Sequence, residues 1–244
     1  MRAGARAAVT ALVTALVLGA CSSQAPGPQP TGVPMESQPS PNPNPAPVPA
    51  ADLLAAAERG DTNVVRAAIA AGSDLEVRDE AGRTPLLLAA TADRVEVASL
   101  LVAAGADPDA LDQRHDTPWL VTGVTGSVAM ARALLSARPD LTITNRFGGT
   151  SLIPAAERGH VEYVRLASGI GIDVDHVNNP GWTALLEAVI LGDGGPAHQE
   201  IVRILIEAGA DVNLADHSGV TPLAHARAKG QSAVAAILGG AGAR

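Results

Sequence analysis

A unit of 33 residues repeats along most of this chain, and this period restricts the fold more than any other feature. A column of Thr-led triplets recurs at spacings of 33, 33, 33 and 38: Thr84-Pro85-Leu86, Thr117-Pro118-Trp119, Thr150-Ser151-Leu152, Thr183-Ala184-Leu185 and Thr221-Pro222-Leu223. An acidic column keeps the same register: Asp74, Asp107, Asp140, Asp173 and Asp211. An apolar column does so too: Val64, Val97, Met130, Tyr163, Ile201 and Val234. So does a column of small residues: Ala56, Ala89, Thr122, Ala155, Ala188 and Ala226. Independent columns in one register predict a repeat architecture in which neighbouring units supply each other's core.

The content of this period resembles the ankyrin repeat, which has 33 residues per unit and a Thr-Pro-Leu-His-x-Ala motif. The resemblance extends over about residues 51–241. In physical terms, the threonine can cap a short first helix, and the proline suits its first turn because no backbone donor is needed there. The resemblance implies an all-α repeat solenoid of about six helix-turn-helix plus hairpin-finger units, with the ankyrin-repeat domain spanning residues 51–244.

The sequence departs from the family's motif at three points. The motif histidine is absent from every unit, and we expect apolar packing to replace its hydrogen bonds. Its place is taken by Leu87, Leu120, Ile153, Leu186 and Ala224. His115 stands where other fingers carry glycine, so we expect the third finger to be distorted. Five extra residues fall within 192–197, between the two helices of the fifth unit. A neutral insertion and a partner-contacting loop both remain open.

Residues 1–20 have the pattern of a lipoprotein signal peptide. Arg2 and Arg6 provide a positive start, and an apolar run too short to span a bilayer follows. Leu18-Gly19-Ala20-Cys21 resembles the bacterial lipobox, which implies acylation of Cys21 and cleavage before it. The alternative is an ordinary secretory leader with an incidental cysteine. We expect an exported protein, lipid-anchored to the cell envelope at the outer face of the cytoplasmic membrane, or in the periplasm or outer membrane of a two-membrane cell.

Residues 21–50 are predicted to form the acylated cysteine and a proline-rich tether. Ten prolines occur between Ser22 and Ala50. Such a segment lacks the backbone donors for a helix and the apolar residues for a core, and it favours extended polyproline II structure. A solvated spacer between the membrane and the repeats is the expected role.

Charge and cysteine content exclude several classes of function. The formal net charge is −8 and Lys229 is the single lysine, so binding to nucleic acid is not expected. Cys21 is the single cysteine and cannot form an internal disulfide or a cysteine zinc site.

Candidate catalytic and metal-binding groups are weak in this sequence. Two acidic clusters lack calcium-loop spacing and are interpreted as solvated carboxylates of the fingers. They are Asp107, Asp109 and Asp112, and Asp173, Asp175 and His176. His160 and His198 share one column before the second helix, which indicates a structural role. No phosphate-binding or nucleophile motif occurs, so we expect no enzyme activity, no cofactor and no metal.

The resemblance implies a binding face formed by finger tips and first helices. The candidate partner-binding residues at the matching positions are Arg78, Arg83, Arg114, Arg146, Phe147, Asn179, Trp182 and His217. Phe147 is the sharpest candidate, because it occupies a finger tip where other units have Ala81 or Pro180. Trp119 and Tyr163 fall in core columns and are expected to be buried.

The sequence thus predicts a monomeric protein-binding module, scaffold or regulatory, with a protein partner of unknown identity. One alternative is a cell-envelope hydrolase or metal-dependent enzyme, which would require a deep pocket holding an acid, a base and a cation site. A second alternative is a glycan or peptidoglycan binder, against which the small number of aromatic residues argues.

Overall fold

The computed structural model describes residues 46–244, which belong to one compact unit. The signal segment, Cys21 and all but the end of the tether lie outside the described residues, so the predictions made for them stay predictions. Throughout 46–244 the regular structure is helical, and its twelve helices form six consecutive pairs, which confirms the predicted all-α repeat solenoid of about six units. The helices are α1 (Ala50–Arg59), α2 (Thr62–Ala70), α3 (Pro85–Thr91), α4 (Val95–Ala103), α5 (Pro118–Thr125), α6 (Val128–Leu135), α7 (Leu152–Glu157), α8 (Val161–Ser168), α9 (Ala184–Ile190), α10 (Pro196–Glu207), α11 (Pro222–Ala228) and α12 (Ser232–Gly240).

The helices form two rows with the core between them. Each first helix packs against the first helix of the next unit, and the second helices, from α2 to α12, pack in the same way. All six members of the small-residue column are fully buried, and so are all members of the apolar column except the partly buried Val64. Trp119 and Tyr163 are buried as expected, with ring centroids 6.4 Å apart. Close packing of the first helices through these small residues therefore sets the spacing of the units.

The predicted threonine caps hold in four units. The hydroxyls of Thr84, Thr117, Thr183 and Thr221 each accept a hydrogen bond from the backbone N–H three residues later. In the fourth unit, where Ser151 replaces the motif proline, α7 starts one residue later, has no side-chain cap and is only 6 residues long. Capping by threonine thus fixes where these four first helices begin, and the uncapped α7 is shorter than they are.

Five fingers precede units two to six, and each closes by the same turn. The fingers are 79–83, 112–116, 145–149, 178–182 and 216–220, and in each the backbone N–H of the first residue donates to the carbonyl of the fifth. We number the fingers by the unit that each one precedes, from two to six. Four fingers place a glycine with positive φ at the fourth position, and the third finger (112–116) places His115 there with φ of 62°. The expected distortion of the third finger is therefore wrong: His115 adopts the left-handed conformation and the turn keeps its hydrogen bond from Asp112 to Asp116 at 3.0 Å.

Hydrogen bonds between units replace those of the missing motif histidine. The motif position itself is filled by buried Leu87, Leu120, Ile153 and Leu186, as predicted, while the residue at the sixth unit, Ala224, is exposed. In four units a side chain at the start of the second helix, either just before it or in its first turn, instead reaches back to a carbonyl of the preceding unit. These contacts are Arg94 Nε to Glu58 O (3.0 Å), His160 Nε2 to Val124 O (3.1 Å), His198 Nε2 to Glu157 O (2.9 Å) and Gln231 Nε2 to Val189 O (3.1 Å).

The acidic residues before the fingers also join consecutive units. Backbone N–H groups donate from Asp107 to Glu76 (2.9 Å), from Asp140 to Asp109 (3.0 Å) and from Asp211 to Asp175 (2.9 Å). Asp109 and Asp175, interpreted from sequence as solvated carboxylates, therefore act as acceptors for the backbone of the next unit.

The extra residues of the fifth unit are tied to their surroundings. Part of the insertion extends α10, which has 12 residues and starts at Pro196. His198 Nδ1 lies 2.8 Å from Asp193 Oδ1, and Gln231 Nε2 donates to the carbonyl of Gly192 at 3.1 Å. The segment is thus held by its own helix and by the sixth unit.

Gly123 tests how closely the first helices must approach. It is buried in α5, and a methyl carbon there would lie 1.9 Å from the carbonyl oxygen of Ser151, just ahead of α7. Because backbone must move to admit it, we expect Gly123→Ala to lower the free energy of unfolding by about 2 kcal/mol. Gly239→Ala is the matched control in α12, where no atom lies within 4 Å of the added methyl, and we expect it to raise stability by up to about 1 kcal/mol. Urea unfolding followed by circular dichroism checks both, and a shift of both midpoints in one direction would contradict the packing argument.

Candidate binding groove

An open cavity of about 330 Å³ lies between the fourth and fifth units, on the side of the fingers and first helices. Its walls come from the fourth and fifth fingers, from α7 and α9, and from two residues of the third unit. We call it the groove, and its lining residues are Asp116, Val124, Asn145, Arg146, Phe147, Gly149, Ile153, Pro154, Glu157, Arg158, Asn178, Pro180, Trp182, Glu187 and Leu191.

Three of the eight predicted partner-binding residues meet in this groove: Arg146, Phe147 and Trp182. Phe147 is 53% exposed, although it is one of the largest apolar side chains of its unit. The guanidinium carbon of Arg146 lies 4.3 Å from the centre of the Phe147 ring, and its Nη1 lies 3.7 Å from Asp116 Oδ2. The rim of the groove therefore combines an aromatic ring with a cation that is already positioned by stacking and by an acidic neighbour.

The other five predicted residues lie outside the groove lining, and two of them hold the fold together. Arg78 Nη1 donates to the carbonyls of Gly82 (2.8 Å) and Leu111 (2.6 Å), which joins two fingers. Arg83 pairs with Asp79 of its own finger at 2.7 Å. These bonds occupy both guanidinium groups, so the structure favours a structural role for them.

The remaining three predicted residues are exposed on the fingers. Arg114 is mostly exposed and only loosely paired with Asp116, at 3.9 Å. Asn179 continues the contact between fingers, because its backbone N–H donates to the carbonyl of Phe147 at 2.9 Å. The His217 ring lies against Gly181 of the neighbouring finger. They extend the finger face on either side of the groove and remain candidates for contact with a partner.

The floor of the groove holds a buried carboxyl group. Glu187 in α9 is 5% exposed, and its Oε1 accepts a hydrogen bond from Asn178 Nδ2 at 2.8 Å. Its Oε2 is buried and has no hydrogen-bond partner. Burial, and then the nearby negative charge of Glu157, raise the pKa of Glu187 to about 7 despite the Asn178 hydrogen bond, which lowers it.

A model of ankyrin repeats matches residues 53–112, 119–216 and 170–244, which together span nearly all of the described chain. The chain belongs to the ankyrin-repeat family. Ankyrin repeats are protein-interaction modules, so family membership indicates a protein-binding module with an unidentified partner.

Solved ankyrin-repeat structures match this chain over most of its length. An ankyrin-repeat domain from Acinetobacter baumannii AYE is 46% identical, with a TM-score of 0.77, over 79% of this chain and 98% of that one. The ankyrin-repeat protein EF0377 is 37% identical, with a TM-score of 0.76 and the same shares of the two chains. The ankyrin-repeat domain of Bcl-3, of the IkappaB family, is 29% identical, with a TM-score of 0.70, over 79% of this chain and 86% of that one.

A shorter match connects the chain to a putative ankyrin-repeat protein, YahD, of Escherichia coli K12. The two are 49% identical over 59 residues, which are 24% of this chain and 29% of that protein. This chain therefore matches less than a third of that relative's length.

Glu187 and Asn178 were not predicted from the sequence, although the ankyrin register carries a signal for both. The column of Glu187 holds Leu88, Val121 and Pro154 in the preceding ankyrin units, so a carboxylate there is out of pattern. Asn178 opens its finger, in the column of Asp79, Asp112, Asn145 and Asp216. A charged residue in an apolar column, nine positions after a finger's first residue, would have pointed to this pair.

Asp116 adds a further acidic group to the lining of the groove. Burial, and then the charge of Asp112, raise the pKa of Asp116, and Arg114 and Arg146 partly oppose that rise. The described ankyrin units contain no group of three or more His, Cys, Asp or Glu side chains that could hold a metal ion. No helix in the range 46–244 has the length and apolarity needed to cross a membrane.

The raised pKa of Glu187 predicts that the free energy of unfolding of the ankyrin domain falls as pH rises. A carboxyl group that binds its proton more tightly when folded stabilises the fold at low pH, and this contribution is lost as pH rises through the folded-state pKa. Glu187→Gln cannot ionise. We therefore expect wild type to lose about 2 kcal/mol of unfolding free energy relative to Glu187→Gln between about pH 5.5 and about pH 8. Urea unfolding at both pH values measures the difference, and the titrating groups that do not interact with Glu187 cancel because both proteins carry them. A difference that stays constant between the two pH values would refute the burial of an ionising carboxyl group.

Proposed function

We propose that this ankyrin-repeat protein is a scaffold or regulatory module that holds a protein partner against the groove and the adjacent finger tips, and that a lipid on Cys21 displays it at the cell envelope. The observation that carries the binding proposal is the rim of the groove. There a half-exposed Phe147, a stacked Arg146 and Trp182 surround an open cavity. Aromatic residues and arginine dominate the binding energy of protein interfaces, where they cluster around pockets near the centre.

The size of the groove limits what it holds. A cavity of about 330 Å³ lies at the small end of the range for ligand pockets, and it accommodates a side chain or two of a partner. The exposed Arg114, Asn179 and His217 lie along the fingers on either side. The proposed interface therefore has an anchor pocket in the fourth and fifth units, with finger contacts extending from it.

The alternative functions are less well supported by the same residues. Sugar binding relies on open aromatic faces, and Arg146 covers one face of Phe147. A hydrolase would need a base or nucleophile next to an acid. The groove lining contains no serine, threonine, cysteine or histidine, so hydrolases that depend on a nucleophile or base of those types are not supported. Protein binding remains the proposal that uses the exposed residues.

Site-specific crosslinking in living cells tests the proposed face. With the photoreactive residue benzoylphenylalanine in place of Phe147, we expect a crosslinked species of higher mass on irradiation, because the partner's contact would lie within reach of the rim. The matched control places the same residue at Arg132, an exposed position in α6 among the second helices. We expect no such species from position 132, and we expect Trp182→Ala to lower the yield from position 147. The same species from both positions, or one insensitive to Trp182→Ala, would exclude the groove face.

The proposed anchor has a separate test. In intact cells we expect the chain to partition with detergent and to carry acyl chains on an N-terminal Cys21, as measured by mass spectrometry of the N-terminal peptide. Cys21→Ser should move it to the aqueous phase, because two or more acyl chains give stable membrane attachment and the substituted chain lacks the thiol that would carry them. Detergent partitioning of Cys21→Ser equal to that of wild type would contradict lipidation.

A further inference from the structure

The floor of the groove contains a hydrogen-bond acceptor that the described part of the protein does not use. Glu187 Oε1 is bonded to Asn178, while Glu187 Oε2 is buried without a donor. Leaving a buried carboxylate oxygen unpaired is costly, and the corresponding positions Leu88 and Val121 of other units are apolar. A ligand that brings a donor to this floor would remove the cost.

The charges around the groove favour a positively charged donor. Three carboxylates line the cavity, those of Asp116, Glu157 and Glu187, together with two guanidinium groups. Arg146 is engaged by Asp116 and stacked on Phe147, and no salt bridge joins Arg158 to Glu187 within the described chain. Glu157 and Glu187 therefore form an acidic pair on α7 and α9 without a cation of their own.

The walls of the groove above this acidic pair are mostly apolar. They consist of Val124, Ile153, Pro154, Pro180, Trp182 and Leu191. An occupant matched to such a lining has an aliphatic stem that ends in a charged donor, as the long basic side chains do.

The geometry of the free oxygen distinguishes between the two basic side chains. A guanidinium group binds a carboxylate best with two parallel hydrogen bonds, which needs both oxygens. Because Asn178 occupies Oε1, only one oxygen remains. An ammonium group is a compact point charge that donates in any of three directions, so it can approach Oε2 and lie beside Glu157 at the same time.

We propose that the groove is a binding site for a single lysine side chain of the protein partner, with the stem packed against Trp182 and Leu191 and the ammonium group donating to Glu187 Oε2. The inference rests on the proposed function, since the lysine belongs to the partner held by the finger face. The inference adds to the proposed function the chemical identity of the partner residue that enters the groove.

The chain itself does not supply this lysine. Residues 22–45 of the proposed tether contain no lysine, arginine or histidine. Lys229 is the single lysine of the sequence, and its ammonium group donates to the carbonyls of Ile190 and Gly192. The occupant therefore comes from a different protein rather than from the tether or from a second copy of this chain.

Small amino-acid amides test the site without a known partner. The probes are Nα-acetyl-lysine N-methylamide and its uncharged match, Nα-acetyl-norleucine N-methylamide, titrated into the full chain at a pH near 8, where Glu187 is ionised. The Trp182 indole N–H is followed by nuclear magnetic resonance and assigned with Trp182→Phe. We expect the lysine probe to shift this resonance saturably and the norleucine probe to bind at least about tenfold more weakly, because it cannot pair with the carboxylate.

Substitutions complete the probe test. Glu187→Gln should weaken the lysine probe at least about tenfold, whereas Glu200→Gln in α10, which does not line the groove, should leave its binding unchanged. Circular dichroism confirms that each variant is folded. Equal binding of lysine and norleucine probes, unchanged binding to Glu187→Gln, or tighter binding of the matching arginine amide would each overturn the proposal.

Selection of peptides separates this inference from the proposed function. A random peptide library displayed on phage is selected on the immobilised full chain, with competition by free Phe147→Ala protein to remove peptides that bind elsewhere. We expect the retained peptides to share one lysine, and replacing it with norleucine should abolish binding. Peptides that bind the finger face, lose binding with Phe147→Ala and carry no common lysine would refute the lysine site and leave the proposed function intact. Retention of no peptide that depends on Phe147 would count against both.

Discussion

No unit of this solenoid can bury its own apolar face, so each one depends on close contact between its first helix and that of the next unit. The small-residue column from Ala56 to Ala226 makes that contact possible, and Gly123 is its tightest point, where α5 meets the backbone before α7. Because the first helices fix the spacing, they also fix how far apart successive fingers stand. The position of the groove between the fourth and fifth units is therefore a consequence of core packing. Its chemistry depends on the side chains that project from these helices and fingers.

Polar contacts between units follow a different column from the one that the family motif uses. Leucine and isoleucine fill the place of the motif histidine in units two to five, and in four units a side chain at the start of the second helix reaches back to the preceding unit instead. Arg94, His160, His198 and Gln231 have little chemistry in common beyond an N–H group on a side chain of sufficient length. Because an N–H donor on a long enough side chain is all that this contact requires, different residue types can occupy the column. The same contact accounts for the two histidines in it without a metal ion.

The fold could be predicted from the sequence because the packing contacts recur in every unit. Each recurring contact produces a column of similar residues at the repeat spacing. The threonine caps, the buried Trp119 and Tyr163 and the six helix pairs all follow from the register. The groove could be predicted only in part, because its residues meet across units and compete for partners. Arg78 and Arg83 match the binding face in register but are bonded to finger carbonyls and to Asp79. His115 occupies a turn position that is glycine in the other fingers. It adopts the left-handed conformation because the hydrogen bonds of its finger hold the turn.

In the fifth and sixth units, the first residue of the finger pairs with a polar residue nine positions later. The pair is charge-compensated in the sixth unit and uncompensated in the fifth. In the sixth unit His225 Nε2 lies 2.8 Å from Asp216 Oδ2, and an acid meets a group that can carry a positive charge. In the fifth unit the amide of Asn178 meets the carboxylate of Glu187, which leaves one oxygen open and the negative charge uncompensated. Exchange of these side chains thus replaces a closed structural pair by an unpaired acceptor on a residue that lines a ligand-sized cavity. A fold selected for stability alone would keep the closed pair or an apolar residue at this position, and the departure coincides with the one place where Phe147, Arg146 and Trp182 converge.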